Sequence, residues 1–260
     1  MRGEDSQWDR SREAALDAAG AAIVIPAFDE AGTIAPLVRA CRALPEAIGV
    51  IVVDDGSADQ TAVLAAAAGA RLLPNGVNLG KGESLRRGMR AALAAGAAFI
   101  VTLDADGQHR PEDIPRLLAA AAPGLVVIGA RVRSPDAPRA RRVANRVADF
   151  WVSWAARQRI RDTQSGFRVY PAALAALLVA GAAPAQHFAF ESEALIAAAR
   201  AGYATRSVPI PTIYHPGLRP SHFRAVRDIA RIVRMVAGKL LPRLMDPVGL
   251  WRSLRPPPRA

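Results

Sequence analysis

The chain has 260 residues, of which 34 are lysine or arginine and 23 are aspartate or glutamate, so its net charge is +11. This length suits one large α/β domain or two small ones, and the excess of basic residues favours phosphate-bearing partners. A single cysteine, Cys41, excludes an internal disulfide framework and favours a reducing compartment. The lead at 1–20 is polar, and Pro and Gly interrupt the longest apolar runs, so we expect neither a signal peptide nor a membrane-spanning helix.

Short apolar strands alternate with helices through the first half of the chain. The pattern predicts strands at 21–25, 49–53, 70–74 and 99–103, with helices ending near 42 and spanning 59–68 and 84–95. Pro26 is expected to stop the first strand. Strands that alternate with helices over short connections predict a mostly parallel sheet with helices on both faces, in an α/β fold.

The second half is predicted to continue this layer and then to change character. We expect a strand at 125–128, helices at 139–158 and up to 200, and a proline-broken edge strand at 207–214. A final helix at 223–241 has one apolar half and one basic half. The apolar half predicts either packing on the domain or, as we favour, binding to an anionic membrane surface.

Polar side chains follow three of the predicted strands at their carboxyl ends, namely Phe28–Glu30, Asp54–Ser57 and Asp104–Gln108. Ligands of open parallel sheets bind beyond this edge, so the three stretches predict one shared site. Asp104 and Asp106 are two apart in extended backbone and point to the same side, where a hard divalent cation relieves their repulsion. The alternative is an Asp-rich turn that caps the helix near Pro111.

Two common nucleotide-binding motifs are absent from the chain. The stretch from Pro26 to Gly32 does not supply the G-x-G-x-x-G of a dinucleotide-binding fold. The stretch from Gly76 to Gly82 has the wrong spacing for a phosphate-binding P-loop and has Gly in place of the hydroxyl residue. We therefore expect Gly80 and Gly82 to allow close passage of the backbone, with Lys81 as an optional phosphate contact.

Five motifs in order resemble those of the family 2 glycosyltransferases, most closely the polyprenol-phosphate (dolichol-phosphate) mannosyl- and glucosyltransferases. They are Ile25–Glu30, Val53–Ser57, Asn78–Gly82, Asp104–Glu112 and Asp162–Arg168. The resemblance implies a single GT-A domain at about 21–215, between a polar lead at 1–20 and a basic helix and tail at 216–260. It also implies inverting transfer of a hexose from a GDP- or UDP-sugar to a polyprenyl phosphate, with Mg²⁺ or Mn²⁺ as cofactor.

By this resemblance, the donor site combines residues from all the strand ends. The base and ribose would be held by Pro26, Phe28, Glu30, Val53 and Asp55. The metal and diphosphate would be held by Asp104, Ala105, Asp106 and Gln108, with Arg131 reaching the phosphates or the sugar. Asp104, Asp106 and Gln108 would be the metal-binding set.

The acceptor side is implied by the second half of the chain. Arg141 and Arg142 match the family's acceptor-loop region, and Arg219 offers further charge for the acceptor. An acceptor phosphate is already anionic, whereas a hydroxyl acceptor of a cell-envelope glycan or glycolipid needs a base, for which Asp162 is the candidate. Glu191 or Glu193 faces the site or caps its helix.

Two functions of other classes compete with this interpretation. The +11 charge also suits a nucleic-acid-binding protein, but the chain lacks strands on which basic and aromatic residues alternate, so we expect no nucleic-acid partner. A catalytically idle sugar-nucleotide sensor is disfavoured by the intact set Asp104, Asp106 and Gln108. We expect a cytoplasmic enzyme that is peripheral at the inner face of the membrane.

Overall fold

A computed structural model describes residues 20–132, 139–181, 190–211, 233–238, 240–241 and 245–255. The strands are β1 (Ala21–Ala27), β2 (Ala47–Asp54), β3 (Arg71–Pro74), β4 (Phe99–Thr102), β5 (Leu125–Arg131), β6 (Arg168–Pro171) and β7 (Ala204–Ile210). The helices are α1 (Ile34–Arg42), α2 (Thr61–Ala67), α3 (Lys81–Ala94), α4 (Ile114–Ala119), α5 (Arg139–Ala156), α6 (Ala172–Ala180), α7 (Phe190–Arg200) and α8 (Pro247–Leu254).

The strands form one seven-stranded sheet in the order β3-β2-β1-β4-β6-β5-β7. All neighbours are parallel except β6, which runs antiparallel to both β4 and β5. The mostly parallel sheet is thus confirmed, and β7 lies at an edge as predicted. Because β6 runs in reverse, its first residue, Arg168, lies beside Thr102 at the carboxyl end of β4.

Alternate residues of each strand pack into two cores, one on each face of the sheet. Val24 and Val53 face a core built with α3, α5, α6 and α7. Ile23 and Val52 face a second core built with α1 and α4. Cys41 is fully buried in this second core, where burial raises the pKa of its thiol to about 12, so the thiol is an inert part of the core.

Two element boundaries near the site differ from the prediction. Strand β1 runs through Pro26 to Ala27 and does not stop at Pro26. Pairing with β4 ends at Val24, so Pro26 lies where the strand has a ladder partner on one side only. Helix α3 begins at Lys81, three residues earlier than predicted, because Gly80 adopts φ +90° and its carbonyl accepts from the amides of Glu83 and Ser84.

The C-terminal region packs partly on the domain. Within the predicted helix at 223–241, the described segment 233–238 is helical, and Val236 and Leu240 are buried in the core that contains α3 and α5. These two residues therefore pack on the domain, as the packing alternative predicts, and membrane binding by the rest of the segment stays a prediction. Helix α8 follows where the sequence was interpreted as a tail, and no helix in the described part of the chain is long and apolar enough to cross a membrane.

Candidate active site

The Asp104–Gln108 turn lies at the carboxyl end of β4, as its sequence position predicts. Thr33 Oγ1 at the start of α1 donates to the carbonyl of Ala105 at 2.6 Å, which ties the loop after β1 to this turn. The amide of Gln108 donates to Asp106 Oδ1 at 3.0 Å. The first and third predicted strand ends therefore meet at one site.

An ion-pair triad lies at the centre of the site. Lys81 Nζ, at the first position of α3, is 2.6 Å from Asp104 Oδ1 and 2.6 Å from Glu191 Oε1. Burial alone would lower the pKa of Lys81, but the two carboxylates outweigh it and raise that pKa. Conversely, burial opposes ionisation of Asp104, yet the charge of Lys81 dominates and lowers the pKa of Asp104. Both groups are therefore charged at neutral pH.

Asp106 carries less compensation than Asp104. Burial, followed by the negative charge of Asp104, raises the pKa of Asp106. His109, three residues on, is 5 % exposed, and burial lowers its pKa, so it adds no positive charge at neutral pH. Its Nδ1 is buried without a hydrogen-bond partner among the described residues. This pocket of unbalanced negative charge suits a cation.

Gly166 makes room for the Asp104 carboxylate. A Cβ at this position would lie 2.4 Å from Asp104 Oδ1 and 2.6 Å from Oδ2, so only glycine fits without displacing the carboxylate. The Gly166 backbone is fixed because its carbonyl accepts from Thr102 Oγ1 at 2.7 Å. The Ser-Gly-Phe part of the motif thus serves to admit Asp104.

Asp162 and Arg131 form a second pair at the ends of β5 and of the loop before β6. Arg131 Nε and Nη2 donate to Asp162 Oδ2 and Oδ1 at 2.8 and 2.7 Å, and the Arg131 amide also donates to Oδ2 at 2.9 Å. Burial opposes ionisation of Asp162, but these hydrogen bonds lower its pKa. A carboxylate held in this way is a weak base, which argues against Asp162 as the general base for a hydroxyl acceptor.

Two residues predicted to bind the donor, Asp55 and Val53, also have contacts within the protein, and their donor-binding roles stay predictions. Asp55 is 4 % exposed and accepts from Asn75 Nδ2 and the Leu79 amide at Oδ1 and from the Gly80 amide at Oδ2, at 2.7 to 2.9 Å. It thereby anchors the loop that carries Lys81. Val53 is fully buried, so its side chain supports the site from within the core.

Of the remaining predicted site residues, most are described by the structure and two are not. Phe28 and Glu30 are partly exposed after β1, Pro26 is buried in that strand, and Gln108 is partly exposed beside Asp106. Arg142 is partly exposed on α5, whereas the side chain of Arg141 and all of Arg219 lie outside the described residues. Their roles in binding donor or acceptor stay predictions.

Sequence reasoning gave too little weight to three residues. Lys81 was predicted only as an optional phosphate contact, and Glu191 only as one of two glutamates that could face the site. His109 was given no role. Of the two glutamates, Glu191 is the one that reaches the site, at 5 % exposure. The glycine on each side of Lys81 was the available signal for a close approach at that position.

Comparisons with known proteins agree with this geometry. Residues 22–177 match the family described as Glycosyl transferase family 2. An uncharacterised protein of Methanocaldococcus jannaschii is 30 % identical over 201 residues, which is 74 % of this chain and 81 % of that protein. The undecaprenyl-phosphate 4-deoxy-4-formamido-L-arabinose transferase of Pseudomonas paraeruginosa is 39 % identical over 118 residues, or 41 % of this chain. The chain spans only 34 % of the length of that transferase.

Solved structures share the fold over most of the chain. A mycobacterial protein superimposes with a TM-score of 0.68 at 25 % identity, over 90 % of this chain and 78 % of that one. Glucosyl-3-phosphoglycerate synthase of Mycobacterium tuberculosis, in complex with Mn²⁺, UDP and glucosyl-3-phosphoglycerate, has a TM-score of 0.65 at 22 % identity, over 90 % and 83 % of the two chains. The predicted GT-A fold is confirmed.

Proposed function

The chain belongs to the family 2 glycosyltransferases, and from this premise we propose that it transfers a sugar from a nucleotide-diphosphate sugar to a polyprenyl phosphate. The observation that carries the choice of acceptor is the Arg131–Asp162 pair. It lowers the basicity of the carboxylate that a hydroxyl acceptor would need, whereas a phosphate is anionic at neutral pH and attacks without a base. The relatives named as undecaprenyl-phosphate transferases support the same acceptor class.

The residues at the end of β4 fit a divalent cation. Asp106 is a partly buried carboxylate whose pKa is raised by burial and by Asp104, and Gln108, whose main-chain amide donates to Asp106, has a side-chain amide oxygen of the kind that a hard cation accepts. No group of three or more His, Cys, Asp or Glu side chains suited to a metal occurs among the described residues. Two carboxylates with substrate phosphates are the usual environment of Mg²⁺, so we propose Asp104, Asp106 and Gln108 as the holders of Mg²⁺ or Mn²⁺. When bound, the ion supplies positive charge to the leaving diphosphate.

The chain's own residues then divide the remaining work. An oxygen of the acceptor phosphate bonds to the anomeric carbon as the bond from that carbon to the diphosphate breaks. The nucleoside diphosphate leaves with the electron pair, and no proton is transferred. Lys81 keeps Asp104 ionised and fixed in place, and Glu191 forms the second ion pair of the Lys81 ammonium. Attack from the face opposite the leaving group inverts the anomeric centre.

We also propose a peripheral position at the inner face of the membrane, where a polyprenyl phosphate is accessible. An experiment is needed to identify the donor base and the sugar. The resemblance implies a hexose, whereas the Pseudomonas relative is named for a modified arabinose. Thermal melts with UDP, GDP and their sugars, with and without Mn²⁺ or Mg²⁺, identify the preferred donor through ligand stabilisation.

Product analysis tests the acceptor class. The preferred donor is incubated with farnesyl phosphate or with farnesol in matched detergent, and glycolipid products are separated by mass. We expect a sugar phosphodiester of farnesol from the first acceptor and no glycoside from the second. Transfer to the hydroxyl of farnesol, with none to farnesyl phosphate, would overturn the proposal.

A further inference from the structure

A large cavity adjoins the active site on the side of α5 and α8. Its volume is about 690 Å³, within the range of small-molecule sites. It is lined by the end of β5, one face of α5, the loop before Asp162 and the end of α8. Arg131 and Asp162 both contribute to this lining, so the cavity and the active site share this ion pair. The positive charge of Arg131 also acts on Asp104, because it helps to lower the pKa of that carboxyl.

The cavity carries positive charge that the described protein does not neutralise. Three further arginines line it, Arg146 from α5 and Arg159 and Arg161 from the following loop. None of the three has a carboxylate within ion-pair distance among the described residues. The two acids of the lining are engaged elsewhere, because Asp162 binds Arg131 and Asp149 accepts from the amide and hydroxyl of Thr163. An anionic ligand would complete this arrangement.

Apolar side chains beside these arginines are open to solvent. Phe150 of α5 and Leu254 of α8 line the cavity and are 41 % and 62 % exposed. Trp251, one turn before Leu254, is 53 % exposed, with the guanidinium of Arg255 stacked 3.4 Å from its ring centre. A ligand with an anionic head and an apolar chain matches both components.

We infer that this cavity binds the phosphate monoester of the isoprenyl lipid acceptor, with the phosphate at Arg146, Arg159 and Arg161 and the first isoprene units against Phe150 and Leu254. The inference rests on the proposed function and gives that function's acceptor a site. Arginine suits a phosphate because its planar guanidinium donates two parallel hydrogen bonds. The Arg131–Asp162 pair places this ligand next to the reaction centre, as an acceptor requires.

This assignment differs from the sequence-based choice of acceptor residues. Arg142 does not line the cavity, whereas Arg146, one turn further along α5, does. The side chains of Arg141 and Arg219 lie outside the described residues. The three arginines of the cavity lie outside the family motifs quoted above, so the resemblance did not single them out.

A direct binding experiment tests the site without relying on turnover. Calorimetric titrations of farnesyl phosphate, farnesol, inorganic phosphate and dihexanoyl phosphatidylglycerol are compared for the full chain and for the double variant Arg159→Gln/Arg161→Gln. The matched control is Arg39→Gln/Arg71→Gln, which removes the same charge from two exposed arginines of α1 and β3, with β3 at the sheet edge opposite β7. Leu254→Ser tests the apolar component separately.

We expect farnesyl phosphate to bind most tightly of the four probes. Its Kd rises at least tenfold in the cavity pair and less than twofold in the control pair, and Leu254→Ser reduces its advantage over inorganic phosphate. Equal losses in both pairs would mean general charge attraction and overturn the inference. It is also overturned if dihexanoyl phosphatidylglycerol, or inorganic phosphate alone, binds as tightly as farnesyl phosphate.

Kinetics distinguish this inference from the proposed function. If the cavity pair transfers sugar to farnesyl phosphate with an unchanged KM, the proposed function stands and the site is wrong. If the wild-type protein binds farnesyl phosphate through the cavity arginines but transfers no sugar to it, the site stands and the proposed function is wrong. Unchanged thermal melting of the variants confirms that exposed Arg→Gln substitutions leave the fold intact.

Discussion

Replacing Gly166 by alanine tests whether the position of the Asp104 carboxylate controls catalysis. The added methyl would lie 2.4 Å from Asp104 Oδ1, whereas ordinary contact begins at about 3.4 Å, so the carboxylate must retreat by about 1 Å. The backbone cannot yield easily, because Thr102 holds the Gly166 carbonyl. A misplacement of this size costs roughly 100-fold in rate, equivalent to about 2.7 kcal/mol of transition-state stabilisation.

The fold should tolerate Gly166→Ala better than the chemistry does. Alanine restricts the unfolded chain, which stabilises the protein by about 0.4 to 1 kcal/mol and offsets part of the cost of the contact. We therefore expect kcat to fall about 100-fold while the free energy of unfolding changes by less than about 1 kcal/mol. Release of nucleoside diphosphate from the preferred donor measures the first, and urea denaturation measures the second.

Gly124→Ala is the matched control for this experiment. Gly124 precedes β5, and a Cβ there would meet nothing within 4 Å, so the same change in composition is made without the contact. We expect its kcat to stay within twofold of the wild type, by the same reasoning about contact. Wild-type turnover in Gly166→Ala would refute the argument that Asp104 must occupy the position seen here.

Three further predictions follow from the charged groups of the site. Asp106→Asn should abolish the stabilisation of the donor complex by Mn²⁺ or Mg²⁺ in thermal melts but leave the unliganded melting point unchanged; a retained metal effect would contradict the metal assignment. Lys81→Met leaves Asp104 and Glu191 without their shared cation and should lower the free energy of unfolding by up to about 3 kcal/mol, whereas Lys81→Arg should recover part of that loss. Folding lowers the pKa of Asp162, so its carboxylate stabilises the fold at any pH above the ordinary pKa of an aspartate, and this stabilisation is lost as pH falls through the pKa of the folded state. The stability difference between the wild type and Asp162→Asn should therefore be constant above about pH 5 and shrink below about pH 4. A difference that grows towards acid pH would reverse that sign.

The part of the site that lies on β1, β2 and β4 was predictable from the sequence. Parallel strands bring their carboxyl ends to one edge, so Asp104 and Asp106 had to share that edge with the loop after β1. The hydrogen bond from Thr33 to Ala105 confirms this meeting. The sequence pattern is sufficient here, because the alternation of strands with helices predicts parallel strands and the apolar periodicity predicts which residues face the core.

The role of Asp55 was not predictable from position alone. It lies at the predicted edge, yet its carboxylate accepts from two backbone amides of the Asn78–Gly82 loop. From the sequence, a carboxylate at a strand end and a glycine-rich loop 25 residues later could each bind a ligand, or they could bind each other. Only the fold shows that burial favours their mutual hydrogen bonds, since an unpaired carboxylate would be costly at 4 % exposure.

Arg168 shows why the part of the site in the second half of the chain could not be predicted from the positions of the strand ends. It begins β6, a four-residue antiparallel strand, and its side chain is completely buried, against the usual behaviour of arginine. The guanidinium donates to the carbonyls of Thr163, Ser165 and Glu191, at 2.7 to 2.8 Å. One side chain thus fixes both the loop that admits Asp104 and the start of α7 that supplies Glu191 to Lys81. Long-range hydrogen bonds of this kind have no period along the chain, so the geometry around Asp104 depends on a residue that composition alone would assign to the surface.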